Sequence, residues 1–112
     1  MQIELKGIFS VELNEPSLPA DPACCCVLMS ADIGARDSAG ADQFDFYVVT
    51  PGFLAKYPEV RWGHAYLHMP EFDWAETKRM LERLVAGVRA DRWEDAANQL
   101  CRFLQWEFDG YP

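Results

Sequence analysis

Apolar and polar residues alternate along the first segment. Ile3, Leu5, Gly7, Phe9, Val11 and Leu13 fall on one side; Gln2, Glu4, Lys6, Ile8, Ser10 and Glu12 fall on the other. A period of two is that of a strand with one buried face. Residues 14–23 hold Pro16, Pro19 and Pro22 and read as a turn-rich loop. The apolar run from Cys24 to Ile33 has the length and bounding breakers of a second strand. Residues 34–42, with Gly34, Ser38 and Gly40, read as an exposed hairpin loop. From Gln43 to Thr50 a third strand sets Phe44, Phe46 and Val48 against Gln43, Asp45, Tyr47 and Val49. Pro51-Gly52 ends it, and residues 53–57 suit a single helical turn before Pro58. A fourth strand is expected at His64 to Met69, where Ala65, Leu67 and Met69 alternate with Tyr66 and His68.

The period then lengthens. Trp74, Thr77, Met80, Leu81, Leu84, Val85 and Val88 recur at helical spacing, behind an Asp73…Glu76 capping pair. Asp91 and Glu94 repeat that arrangement ahead of a second stripe: Trp93, Ala97, Leu100, Cys101, Leu104 and Phe108. Four strands followed by two helices predict an α+β fold: a four-stranded antiparallel meander with both helices on one face, as a single domain over residues 1–112. The covered face would carry Ile3, Leu5, Phe9, Phe44, Phe46, Leu67 and Met69. The other would show Glu4, Lys6, Ile8, Asp45, Tyr47, Val49, Tyr66 and His68. That second face mixes aromatics with acids, and suits either a protein partner or plain solvent.

Charge narrows the choice of partner. The 112 residues carry a net charge of -8, which argues against direct nucleic-acid binding and suits a basic partner. No apolar run is long enough to span a bilayer, and Met1 to Lys6 lacks the basic and apolar blocks of a signal peptide, so a cytoplasmic location is expected.

Reactive chemistry is sparse. His64 and His68 on one strand would stand about 13 Å apart, too far to share an ion. Adjacent Cys24, Cys25 and Cys26 fit neither a disulfide framework nor zinc spacing, and read with Cys101 as small core residues. No nucleophile elbow, phosphate loop or zinc-protease motif occurs. The expectation is no enzyme, no cofactor and no metal. The rival reading is a ligand-binding or enzymatic α+β domain, with a pocket between sheet and helices that uses Cys101 or His68.

Several segments in order resemble one family. They are Phe44-Asp45-Phe46-Tyr47-Val48-Val49-Thr50-Pro51-Gly52-Phe53-Leu54, Trp62, the passage around Phe72, and Trp93…Leu100…Phe103…Trp106-Glu107-Phe108…Tyr111. Together they resemble the Immunity protein 8 family, small bacterial proteins associated with polymorphic toxin systems. The triple cysteine and the Pro-rich loop depart from its pattern. The resemblance implies an α+β domain that binds and neutralises a cognate toxin, without catalysis. It points to Trp62, Trp106 and Glu107 as recurrent. Folding is the favoured role for Trp106 and Phe108, while Glu107 serves either folding or toxin contact. Blocking would be steric and electrostatic, against a toxin such as a nuclease with a basic groove, by a monomer or weak homodimer. Asp42, Asp45, Tyr47, Trp62, Tyr66, His68, Glu107 and Asp109 are the expected contact residues.

Overall fold

The alternating segments become strands and the 3.6-period segment becomes a helix. The computed structural model describes residues 1–109; Tyr111 of the resemblance lies outside them. The elements are β1 (Ile3–Phe9), β2 (Cys26–Ala35), β3 (Asp42–Val49), α1 (Pro51–Lys56), β4 (Tyr66–His68), α2 (Trp74–Ala86), α3 (Trp93–Leu100) and β5 (Gln105–Trp106). The sheet order is β1-β2-β3-β4, with β5 also on β3. This is the expected α+β class, mostly antiparallel, with two helices towards the C-terminal end.

One strand runs against the expected meander. β4 pairs with β3 in parallel, with Val48 opposite Leu67. A parallel neighbour needs a crossover rather than a tight turn; α1 and residues 57–65 supply it. Thr50 starts that crossover. Its fully buried hydroxyl accepts from the Phe53 amide at 3.3 Å and the Cys25 amide at 3.0 Å. The close approach of Gly52 to the Pro-rich loop requires glycine, since a Cβ there would stand 2.4 Å from the Ala23 carbonyl. Ala65 enters β4 at a φ of 60°, a left-handed conformation that costs a non-glycine residue about 1 kcal/mol.

A second correction concerns β1. Its register on β2 slips between Leu5 and Gly7, and the extra residue, Lys6, makes a β-bulge. Past a bulge the alternation restarts in the opposite phase. Ile8 therefore turns inward onto the core, while Phe9, expected inside, is left exposed.

The core lies between the sheet and the helices. Met29, Ala31, Ile33, Phe44, Phe46 and Val48 are almost fully buried on the inner face. From α2 come Trp74, Thr77, Leu81 and Val85, from α3 Ala96, Ala97 and Leu100. The Asp73 cap is as read, its carboxylate accepting from the Glu76 amide at 3.0 Å. The Asp91 cap is not: Arg92 occupies that position, and its side chain makes no capping bond to the helix amides. The second helix also ends early, at Leu100, so Cys101, Leu104 and Phe108 of the expected stripe lie beyond it, and Trp106 stands on β5. On the opposite face Val49 is buried rather than open.

Candidate functional site

The expected contact residues fall into two groups at opposite ends of β3. At its start stands Asp42. Its Oδ2 accepts from Trp93 Nε1 at 2.8 Å and from Trp106 Nε1 at 3.0 Å. Both indoles flank Phe44, Trp106 stacked on it at 6.3 Å and Trp93 edge-on at 6.2 Å. One carboxylate thus ties the start of α3 and the end of β5 to the first residue of β3.

Glu107 continues the ladder beyond β5. Its amide donates to the Gln43 carbonyl at 3.0 Å, and its Oε1 accepts from the Gln43 amide at 2.8 Å. The side chain takes the place of a neighbouring strand's carbonyl, which is a folding contact. Asp45 accepts from Ser30 Oγ at 2.7 Å and Gln43 Nε2 at 3.0 Å. Asp109 keeps an exposed side chain. Of the four acids, three are engaged by the protein's own groups. Sequence could not reveal the Asp42 pairing, because its partners lie 51 and 64 residues away.

The aromatic group gathers around β4. The rings of Tyr47 and Tyr66 lie 5.5 Å apart, with the Arg61 guanidinium 5.1 Å from the centre of Tyr66. His68 is exposed, and Trp62 is fully exposed on the crossover loop. On this face Tyr47, Val49, Phe53, Tyr57, Tyr66 and His68 help to line a hollow of ≈ 540 Å³. A second hollow of ≈ 540 Å³ lies between β4 and α2. Its wall includes Phe46, Leu67, Met80, Leu84, Phe103 and Leu104, with His64, His68, Arg83 and Arg102 as its basic side chains. His64 Nε2 lies 3.3 Å from the Leu104 carbonyl. The pocket between sheet and helix that a ligand-binding reading requires is therefore present, with His68 on its wall. Cys101 is not among its lining residues. His64 lies outside the strand expected to carry both histidines.

All four cysteines are unpaired among the described residues. Burial, with minor help from neighbouring thiols and Asp21, pushes the Cys25 thiol up. Burial also raises Cys26, partly offset by Arg61, and raises Cys101 with help from Asp109. Thiols held protonated are poor nucleophiles and poor metal ligands. Among the described residues no three His, Cys, Asp or Glu side chains gather as a cation site, and no helix is long and apolar enough to cross a membrane.

By class this is a small, acidic α+β protein built on a mostly antiparallel sheet. The family model described as Immunity protein 8 matches residues 3–111. The chain belongs to the Immunity protein 8 family, and its role is that of an immunity protein. Neither the curated proteins nor the solved structures gave a match.

Proposed function

We propose that this protein binds and neutralises a cognate toxin in the cytoplasm, as a single domain over residues 1–112, by covering the toxin's active site or substrate groove without catalysis of its own. The family match over residues 3–111 carries this reading. The net charge of -8 supports a basic target, as the substrate groove of a nuclease would be. An acidic exterior speeds encounter with such a groove and takes the place of phosphate within it. Tyr47, Trp62, Tyr66 and His68 supply the contact surface with Asp109. Asp42, Asp45 and Glu107 contribute field while holding their internal partners. The protein acts as a monomer or weak homodimer. Co-expression with the toxin domain encoded by the adjacent gene tests the proposal: growth is restored if it holds, and absence of rescue overturns it.

A ligand-binding reading draws on the hollow between β4 and α2. It requires a small molecule that saturates the purified protein in calorimetry and loses affinity on Leu84→Trp, which fills the hollow.

A further inference from the structure

We infer that the outer edge of β4 accepts an extended segment of the cognate toxin as an added strand, its alternate side chains seated in the hollows on either side of β4 and a carboxylate among them held by Arg83 and Arg102. This rests on the immunity reading and adds the contact face and the chemistry of the bound segment.

The pairing register decides which groups are free. The Tyr47 amide donates to the Ala65 carbonyl at 2.8 Å and the Met69 amide to the Val49 carbonyl at 3.0 Å. In a parallel ladder of that phase, Leu67 points its amide and carbonyl at β3. Tyr66 and His68 then point theirs outward. Among the described residues no hydrogen bond outside the ladder uses those four groups. The opposite edge of the sheet, β1, carries a bulge at Lys6, a device that discourages pairing; β4 carries none.

Both hollows border this same three-residue strand, and Gly63, Tyr66 and His68 line each of them. A strand laid along β4 would send successive side chains to opposite faces. One set meets Tyr47 and Phe53, the other Met80, Leu84 and Phe103. Backbone bonds with alternate side-chain pockets are how strand addition combines affinity with specificity.

Charge selects the occupant. Arg61, His64, His68, Arg83 and Arg102 line the two hollows, against Glu59 as the acid in their walls. Glu59 is already paired with Arg61 at 3.0 Å. Arg83 and Arg102 have no ion-pair partner among the described residues. A basic margin in a chain of net charge -8 suits a segment that pairs a large apolar side chain with a carboxylate. A second copy of this chain fits poorly, since His64 to Met69 offers histidines and no acid.

The test uses the purified full chain and the toxin domain encoded by the adjacent gene. Amide exchange is followed by NMR in the free and bound protein. The Tyr66 and His68 amides are expected to exchange quickly when free and at least tenfold more slowly when bound. The pair Arg83→Glu and Arg102→Glu should weaken binding at least tenfold, while Lys78→Glu, exposed on α2, leaves it unchanged. Binding at full strength with unaltered exchange at Tyr66 and His68 overturns the edge proposal and leaves the immunity reading standing. Absence of any binding removes both. Protection already present in a dimer of the free protein shows a second copy on the edge, and overturns the proposal as well.

Discussion

Asp42 shows how far a single carboxylate reaches in this protein. It serves two indole N–H groups on separate elements, so its removal strands two part-buried donors at once. Asp42→Ala is expected to cost about 2–4 kcal/mol, from the price of unsatisfied donors to a charged acceptor. Asp42→Asn, which keeps one oxygen, should cost less; urea unfolding followed by circular dichroism measures both. The cysteines make a second residue-scale case. The folded pKa values of Cys25, Cys26 and Cys101 lie above the ordinary 9.0, so the folded chain holds those three protons longer than the unfolded one. Their contribution is intact below about pH 9 and is lost as pH rises through the raised values. Stability should fall on the alkaline side, and Ala at Cys25, Cys26 and Cys101 together should flatten that decline in urea midpoints at pH 8 and pH 10.

At the scale of elements, the legible parts were those with their own period. The Phe44, Phe46, Val48 alternation marked β3, and the stripe behind Asp73 marked α2, because each pattern lies within one stretch of chain. The bulge at Lys6 was not legible, since it depends on how β1 meets β2. Nor was β5, whose two residues are too few to show a period. The direction of β4 depended on the path of the crossover, not on its own sequence. The bulge makes a sharp comparison possible. Ile8→Ala, turned inward, should cost about 1–2 kcal/mol for the methyl groups it removes from a half-buried site. Phe9→Ala, exposed, should stay within about 0.5 kcal/mol. An uninterrupted strand would reverse that order, and thermal unfolding of the two variants decides.

For the molecule as a whole, sequence gave the contact residues as one set, and the structure divides them. Charge nominated Asp42, charge and the open face Asp45, and the family resemblance Glu107, yet each is bound to groups of its own chain. Tyr47, Tyr66 and His68 were nominated by sharing a face, and they do lie together beside β4. Net charge acts on encounter regardless of which acids are engaged, because the field sums over the molecule. Association with the toxin domain should therefore slow by about tenfold or more between low and high salt, while dissociation changes little. Stopped-flow measurement separates the two rates, and a salt-independent association rate would remove the electrostatic part of the proposal.

β3 takes its final neighbour very late. The Phe44–Asp45 half of its outer edge waits for Gln105 and Trp106, which leave the ribosome some sixty residues afterwards. A nascent chain halted short of Gln105 would hold Phe44 without its stacked indole and the Gln43 amide without an acceptor. Such a fragment has a raw strand margin beside exposed aromatic surface, the combination that draws unfinished chains into aggregates and onto chaperones.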